Sequence, residues 1–560
     1  MDDHIGLRKT IRLFGLGVLA ASLTVAAPAC RDGLRSGDRP EDRASRPLIW
    51  PAAEPGPYDV GYRLLHEHDP ARTFKPKFDY FGKPTEGPIT RPLQISVWYP
   101  ARSISGRKRM RLEDYYHARA TETDFTRPSS QRLEILMNRL KNIWPIEFRI
   151  PPEGRNAIRA RIDEALREEV FAVRDAPPET GPFPLIVHMP GYNGSPDNQA
   201  YFFEYLASHG YVVAAVPNMG RSSRGIDDEA ASLDVQARDL EFVVARMGKF
   251  SKVDLSRVGT TGMSWGGFSN VLFGGRNARV DAVLTLDGAI TMPEELKLIE
   301  AVPGYSHEKF DKAYMQLLVA PAEAKFRPKD LRFFEALEYG DAHMIQFRGV
   351  DHDEFACGYL RLRNLRETDP ARIAALEEFS RTVYRCALLF FDAYLKGDEE
   401  AYRSLEEAAE GWSEGGAENG TVVLRRFKKA KPRPMTRGEF MDIVTTRGAV
   451  EASKIYADYS RTHPRNDLIV NSVIGPIYMD AFESGDLKEA MAICELWRTG
   501  LPDEPGPLFS MARIHLAAGE NEKAIGCYET ILAMNVGPET AAAARRRLEE
   551  ARAGAGRIAQ

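Results

Sequence analysis

A glycine–serine turn near the middle of the chain constrains the fold more than any other feature. The stretch 257–267 contains a G-x-S-x-G motif formed by Gly262, Ser264 and Gly266. The β-branched residues before the motif predict a buried strand, and the apolar residues after it predict a helix. Such a strand–turn–helix unit holds the serine at the carboxyl end of a sheet and directs the backbone N–H of Trp265 into the same space. The motif therefore predicts an α/β fold that presents a serine hydroxyl.

Strands and helices alternate along most of the chain, which indicates the fold class. Between about residues 58 and 412, short β-branched runs alternate with helical stretches, a pattern typical of a mostly parallel sheet flanked by helices. Residues 102–180 interrupt the alternation with amphipathic stretches, so we expect a helical insertion there. The predicted strands are 93–99, 185–188, 211–216, 257–261, 282–286, 315–320 and 343–347, and the predicted helices include 131–141, 156–170, 198–208, 232–246 and 372–395.

The end of the chain contains an internal repeat. The segments 485–490 and 519–524 each begin with glycine and end with alanine, and they align at an offset of 34 residues (519 minus 485). This offset is the period of tetratricopeptide helix pairs, in which glycine permits the turn and alanine lets the paired helices approach. A weaker copy is predicted around 448–452 and a capping helix at 539–551. Residues 436–560 thus resemble an all-α tetratricopeptide-like domain.

Composition excludes several classes of protein. With 560 residues the chain is too long for one compact core, so we expect more than one domain. The formal net charge of -5 lacks the basic excess of a nucleic-acid-binding protein. Five cysteines without a CxxC pair exclude a disulfide-dense scaffold and a thiolate zinc site. We therefore expect a large globular protein without metal or nucleic acid.

The first thirty residues have the pattern of an export signal. Basic residues within 8–12 precede an uncharged apolar stretch, 13–29, and Cys30 follows directly. The segment resembles a bacterial lipoprotein signal, which implies a lipid-modified Cys30, and an uncleaved membrane anchor is the alternative. Residues 31–57 are rich in Arg, Asp, Pro and Gly and are typical of a flexible linker. We expect an exported protein, periplasmic or anchored to the membrane as a lipoprotein.

A serine nucleophile needs a base, and three histidines follow Ser264 in the chain. His343 begins the predicted last strand, and His307 lies in a polar stretch between elements. His352 comes after the predicted last strand, in the loop from which an imidazole can reach the serine over the edge of the sheet. His352 is therefore the predicted base.

Two carboxylates are candidates to orient this base. Asp287 ends the predicted strand 282–286, next to a glycine, and Glu323 follows the strand 315–320 in an alanine-rich stretch. A carboxylate at the carboxyl end of a strand suits an active site. We favour Asp287 and keep Glu323 as the alternative.

The sequence also predicts where a negatively charged oxygen would be stabilised. One donor is the backbone N–H of Trp265, and a second should come from the loop after the strand 185–188. In that loop the backbone N–H of Tyr192 is the predicted donor. Tyr192 and Trp265 would together form an oxyanion hole.

These pieces resemble the platelet-activating-factor acetylhydrolase-like and dienelactone-hydrolase-like branch of the α/β-hydrolases. The resemblance implies a Ser/Asp/His triad that needs no cofactor, and it places the acid after the strand that follows the nucleophile's helix, which supports Asp287. A serine nucleophile differs from the cysteine of dienelactone hydrolases proper, and the oxyanion loop departs from the usual His-Gly pattern. The matching segments are 56–61, 97–101, 262–267, 286–288 and 349–355.

The leading hypothesis is an exported serine hydrolase that cleaves small-molecule or lipid carboxylic esters through an acyl-enzyme. A serine peptidase is one alternative, because the same site can cleave amides. The other is a surface lipoprotein whose helical repeats bind a protein or peptide, with an inactive hydrolase fold. In each case we expect membrane contact only through the N-terminal lipid or anchor.

Overall fold

The computed structural model describes residues 47–558 apart from 104–105, 141–153, 227–228, 303–304, 325–327, 368 and 411–420. The predicted export signal with Cys30, most of the predicted linker and the end of the predicted helix 131–141 lie outside the described residues. Within the described part, no helix is both long and apolar enough to span a membrane. Cys357, Cys386, Cys494 and Cys527 are free thiols, so no disulfide joins the described residues.

A sheet of ten strands forms the centre of the fold, in the order β10-β9-β8-β7-β6-β4-β5-β2-β1-β3. Strand β4 pairs in parallel with β5 and β6, and β6 pairs in parallel with β7. Strand β2 pairs antiparallel with β1 and β5. The strands are β1 (Asp59–Phe74), β2 (Ile89–Ala101), β3 (Val173–Arg174), β4 (Phe183–Met189), β5 (Val212–Ala215), β6 (Val253–Met263), β7 (Val280–Leu286), β8 (Ala313–Val319), β9 (Ala342–Phe347) and β10 (Val422–Lys428).

Helices connect most of the strands. In the inserted region before β3 they are α1 (Leu112–Arg119), α2 (Ser129–Asn138) and α3 (Arg155–Leu166). Along the rest of the sheet they are α4 (Ala200–Ser208), α5 (Glu229–Met247), α6 (Trp265–Arg276), α7 (Pro293–Glu300), α8 (Arg332–Ala336), α9 (Cys357–Arg363), α10 (Pro370–Leu395) and α11 (Glu399–Glu410). The C-terminal helices are α12 (Arg437–Arg447), α13 (Ala449–Thr462), α14 (Asn471–Glu483), α15 (Leu487–Gly500), α16 (Gly506–Ala517), α17 (Asn521–Ala533) and α18 (Pro538–Ile558).

The central strands are buried because helices cover the sheet. Strands β4, β8 and β9 are buried along their whole length, and every residue of α4 is buried as well. Continuous apolar runs of this kind are expected where a parallel sheet is covered on both faces. The carboxyl ends of parallel strands meet at one edge of such a sheet, and the loops there are free to carry polar side chains.

The chain divides into two compact units. One contains residues up to 299 together with 315–330 and 344–426, and the other contains 300–314, 331–343 and 427–560. In the second unit, successive helices pack in pairs around buried side chains that form two apolar clusters. Gly485 and Gly519 have φ values of 84° and 75°, and each lies in the turn before a helix. Ala490 and Ala524, one turn into those helices, are fully buried, as expected where paired helices approach closely.

The predicted fold class is confirmed: a mostly parallel sheet is flanked by helices, and a helical region follows it. The sequence predicts no element at 422–428, where β10 pairs at the edge of the sheet. Strands β1 and β10 carry charged residues along much of their length, since they lie at or near the edges of the sheet, and therefore lack the apolar pattern of a buried strand.

Candidate active site

Ser264 lies in a sharp turn between β6 and α6. Strand β6 ends at Met263 and α6 begins at Trp265, so Ser264 alone makes the connection, with φ 55° and ψ −122°. Side chains are tolerated at few places around this turn. A Cβ atom on Gly266 would overlap the carbonyl oxygens of Met189 and Pro190, because the helix starts directly against the end of β4.

Gly262, on the other side of the turn, also has no room for a side chain. A Cβ atom at Gly262 would overlap the backbone of Gly266 and the amide of Asn270. Both predicted glycines of the motif therefore lie where strand and helix come too close for any side chain. The turn leaves Ser264 only 9% exposed, at the edge of the sheet.

The side chains of Ser264, His352 and Asp287 form a continuous row of hydrogen bonds. Nε2 of His352 lies 2.8 Å from Oγ of Ser264, and Nδ1 of the same ring lies 2.6 Å from Oδ2 of Asp287. Carboxylate, imidazole and hydroxyl in this order allow the imidazole to accept the hydroxyl proton while the carboxylate fixes the ring. The three residues predicted from the sequence thus meet at one place.

His352 is held by the turn in which it stands. It begins a short 3₁₀ turn after β9, and Asp351 precedes it as the capping residue. The N–H of Asp351 donates to Glu354 at 2.7 Å, and Arg372 on α10 pairs with the same Glu354 at 2.9 Å. These contacts fix the loop against a long helix, so the imidazole is positioned by the fold.

Asp287 follows directly after β7 and is almost completely buried. Its Oδ1 accepts hydrogen bonds from the N–H of Val319 at 3.0 Å and from Nζ of Lys329 at 2.7 Å. Burial alone would raise the pKa of this carboxyl, but the hydrogen bond with His352 and the positive charge of Lys329 lower it to about 2. Asp287 is therefore ionised at neutral pH.

Glu323, the alternative acid, makes a different contact. Its Oε2 accepts the N–H of Gly349 at 2.6 Å, in the loop between β9 and His352. Glu323 thus supports the loop that carries the histidine, whereas Asp287 accepts the hydrogen bond from Nδ1 of the imidazole.

The loop after β4 passes alongside Ser264, as the sequence predicts. A Cβ atom on Gly191 would lie 3.4 Å from Cβ of Ser264, and the rings of Tyr192 and Trp265 meet edge to face at 5.6 Å between centroids. Among the described residues, the backbone N–H groups of Tyr192 and Trp265 donate to no acceptor. Both predicted donors therefore lie in backbone close to the serine with their hydrogen-bonding capacity unused.

Gln236, on α5, links Trp265 at the start of α6 to Asn218 in the loop after β5. Its Oε1 accepts from the indole N–H of Trp265 at 2.8 Å, and its Nε2 donates to Oδ1 of Asn218 at 2.8 Å. Nδ2 of Asn218 in turn donates to the carbonyl of Pro190 at 2.9 Å. Gln236 and Asn218 are fully buried, and we call this chain of contacts the Gln236 network. Neither residue belongs to a recognisable motif, so the sequence alone does not predict this network.

Arg224 connects the same loop to the inserted region. Its guanidinium donates to the carbonyl of Gly194 at 3.0 Å and pairs with Glu122 at 2.6 Å. Glu122 is 3% exposed on its side chain. The insertion is therefore joined to the loop beside Ser264 by a charged contact.

His343, His188 and His307 lie elsewhere. His343 is buried against the ring of Phe427, and His188 is buried against the ring of Phe203. Burial lowers the pKa of His343 to about 4 and that of His188 to about 3. His307 is 3.9 Å from Glu300. Across the described residues, no cluster of three or more His, Cys, Asp or Glu side chains could hold a metal ion.

No protein-family profile matches this chain, and no curated protein matches it. Among solved structures, the chain is similar to a ferulic acid esterase from Streptomyces cinnamoneus, with 21% sequence identity and a TM-score of 0.42 over 61% of this chain and 91% of that chain. The fold is assigned from the molecule itself. The mostly parallel sheet and the serine turn between β6 and α6 define an α/β-hydrolase fold.

Proposed function

We propose that this protein is a serine hydrolase that cleaves carboxylic esters through an acyl-enzyme. The observation that carries the proposal is the row of hydrogen bonds from Ser264 through His352 to Asp287, at 2.8 Å and 2.6 Å. Acyl transfer requires an activated hydroxyl, an oriented base and donors for the developing oxyanion. Each of these elements has a candidate within this one region.

The acylation step uses the three side chains in turn. Oγ of Ser264 attacks the ester carbonyl carbon while its proton passes to Nε2 of His352. Asp287 accepts the Nδ1 proton as a hydrogen bond and stabilises the imidazolium that forms. The carbonyl π electrons move to oxygen and give a tetrahedral oxyanion. When the carbonyl reforms, the bond to the alcohol oxygen breaks and His352 donates its proton to the leaving alcohol.

The oxyanion needs hydrogen-bond donors that are already in place. The free N–H groups of Tyr192 and Trp265 support this role, because both flank Ser264 in backbone that packs closely. Removing one such donor typically lowers kcat by about 100- to 1000-fold. Water then attacks the acyl-enzyme with His352 as base, which releases the carboxylic acid and restores the Ser264 hydroxyl.

Labelling with a fluorophosphonate probe tests the proposal directly. Such a probe reacts with an activated serine, so the wild-type protein should be labelled and Ser264→Ala should not. Hydrolysis of a series of p-nitrophenyl esters of increasing acyl length should fall by about 1000-fold or more in both Ser264→Ala and His352→Ala.

His307→Ala is the matched control, because His307 lies between elements and pairs with Glu300. It should retain full labelling and full esterase activity. A folded wild-type protein that is neither labelled nor active would contradict the proposal and would favour an inactive hydrolase fold. Faster cleavage of peptide amides than of esters would favour the peptidase alternative.

We also propose that the protein is exported and anchored through Cys30. The proposal is supported by the basic segment 8–12, the apolar stretch 13–29 and the cysteine that follows. Metabolic labelling with a radioactive fatty acid should mark the wild-type protein and leave Cys30→Ala unmarked. Equal labelling of both would contradict lipidation at this residue.

The helix pairs of the second unit are proposed as tetratricopeptide-like repeats that bind a protein or peptide. The support is the shared turn glycines, Gly485 and Gly519, and the buried alanines at the same offset, Ala490 and Ala524. Stacked helix pairs of this kind form extended binding surfaces. Cross-linking in the native cell envelope should give an adduct that is lost when the chain ends at residue 430.

A further inference from the structure

Lys329 makes a buried ion pair with the carboxylate of Asp287. The Nζ atom lies 2.7 Å from Oδ1, and the two side chains are 2% and 1% exposed. A lysine is rarely buried this far, since removing an ammonium from water is costly unless an opposite charge accepts it. The position of Lys329 thus depends on the negative charge of Asp287.

The two carboxylate oxygens of Asp287 accept hydrogen bonds from different donors. Oδ2 receives the Nδ1–H of His352, whereas Oδ1 receives Lys329 and the N–H of Val319. The carboxylate is consequently held from both sides, and its plane is set by the donors on Oδ1. Lys329 meets the carboxylate on the oxygen opposite the imidazole, so it acts through Asp287 and is a positioning residue.

We propose that Lys329 is a positioning residue of the hydrolase that fixes the Asp287 carboxylate and neutralises part of its charge. This inference rests on the proposed function. Among the described residues, the titratable groups that face Asp287 are His352, on the turn after β9, and Lys329, on the segment before α8. From β8 the carboxylate meets a backbone N–H, that of Val319.

The electrostatic consequence has a definite sign. An imidazole next to an uncompensated carboxylate holds its proton more tightly, because the negative charge stabilises the imidazolium. With the ammonium on the other oxygen, the resting trio of Lys329, Asp287 and His352 has a net charge of zero rather than −1. Removal of the ammonium should therefore move the acid-side midpoint of the activity profile upward by about one pH unit.

The test measures kcat/KM for p-nitrophenyl acetate from pH 5 to 9 in the wild type, Lys329→Met, Lys329→Gln and Lys329→Arg. In both neutral variants the midpoint should rise by about one pH unit, and the plateau should fall by about tenfold as the carboxylate loses its anchor. Lys329→Arg keeps the charge and should keep the wild-type midpoint. Lys297→Met removes a lysine from an exposed ion pair with Glu294 and should change nothing.

Rate constants for fluorophosphonate labelling over the same pH range provide a second measurement of the acid-side midpoint. They describe folded molecules alone, so a variant that is partly unfolded can still be compared with the wild type. An unchanged midpoint in labelled Lys329→Met or Lys329→Gln would overturn the role of Lys329, as would a raised midpoint in Lys329→Arg. Failure of the proposed function is distinguishable, because the wild-type protein itself would then lack Ser264-dependent labelling.

Discussion

Ser264 and Asp287 both have left-handed backbone although neither is glycine, with φ values of 55° and 43°. They follow the adjacent parallel strands β6 and β7, and the N–H of Ser264 donates to the carbonyl of Leu286, next to Asp287, at 3.0 Å. A side chain in this conformation costs roughly 1–2 kcal/mol. Strained backbone of this kind clusters at functional sites, which supports the proposed role of the pair.

Replacing the strained serine by glycine should therefore stabilise the fold. Ser264→Gly and Ser264→Ala both remove the hydroxyl, but only glycine adopts a positive φ without steric cost. We expect Ser264→Gly to unfold at a higher urea concentration than Ser264→Ala, with a difference in unfolding free energy of about 1 kcal/mol. Both variants should be inactive. Equal stability of the two would show that the turn at 264 is not strained.

The packing at Gly266 should be intolerant of any side chain. Gly266→Ala would drive a Cβ atom into the carbonyl oxygens of Met189 and Pro190, so β4 and α6 would have to separate. We expect a loss of about 3 kcal/mol in unfolding free energy and loss of fluorophosphonate labelling.

A matched control for this substitution is Gly526→Ala. Gly526 lies inside α17, and a Cβ atom there would meet no other atom within 4 Å. This change should stabilise the protein by about 0.5–1 kcal/mol through helix propensity and leave labelling unchanged. Normal labelling of Gly266→Ala would contradict the close approach of helix and strand.

The sequence was sufficient to predict that Ser264, His352 and Asp287 meet, because each is tied to an element boundary. Ser264 stands between a predicted strand and a predicted helix, and Asp287 and His352 follow predicted strands. Strand ends of a parallel sheet converge at one edge, so chain order restricts which side chains can meet. The turn at Ser264 could be predicted from the spacing of Gly262 and Gly266 alone.

Lys329, Gln236 and Asn218 could not be predicted in the same way. Lys329 looks like any polar residue in a loop, and its burial depends on a carboxylate 42 residues earlier in the chain. Gln236 lies on an ordinary amphipathic helix, and its partners include Asn218 in the loop after β5 and Trp265 at the start of α6. Contacts of this kind are determined by tertiary packing, and no periodicity in a single sequence predicts them.

The Gln236 network should be needed for rate more than for binding. Gln236→Leu removes the acceptor for the Trp265 indole and the donor to Asn218, so the start of α6 loses its connection to Pro190 in the loop that carries Tyr192. We expect kcat for p-nitrophenyl acetate to fall by about tenfold with KM changed less than twofold, because the interaction with the oxyanion exists only in the transition state.

Glu241→Gln, on the same helix, provides the comparison for this substitution. Within the described part of the chain, Glu241 forms only a long contact with Arg276, at 3.8 Å, near the surface. Its kinetic constants should equal those of the wild type. A rise in KM without a change in kcat in Gln236→Leu would indicate a role in substrate binding and would contradict positioning of the oxyanion donors.

Glu204 should give the protein a stability that falls with rising pH. This residue of α4 is fully buried and accepts hydrogen bonds from the hydroxyl of Tyr115 and the N–H groups of Phe171 and Ala172. Burial raises its pKa from 4.5 to about 7 against the opposing effect of these donors. Below about pH 4.5 both folded and unfolded states are protonated, and the stabilising contribution is complete. Between about pH 4.5 and 7 only the folded state keeps the proton, so the contribution is progressively lost, by about 3 kcal/mol in total.

Urea unfolding at pH 5 and pH 8 separates this contribution from those of other groups. Glu204→Gln cannot titrate, so its unfolding free energy should decrease less between the two pH values than that of the wild type. Glu241→Gln should keep the wild-type dependence, because Glu241 is partly exposed and lies outside this contact. An identical pH dependence in Glu204→Gln and the wild type would mean that the three donors keep Glu204 ionised throughout. The inserted region would then be joined to α4 by a permanent charge rather than by a group that titrates near neutral pH.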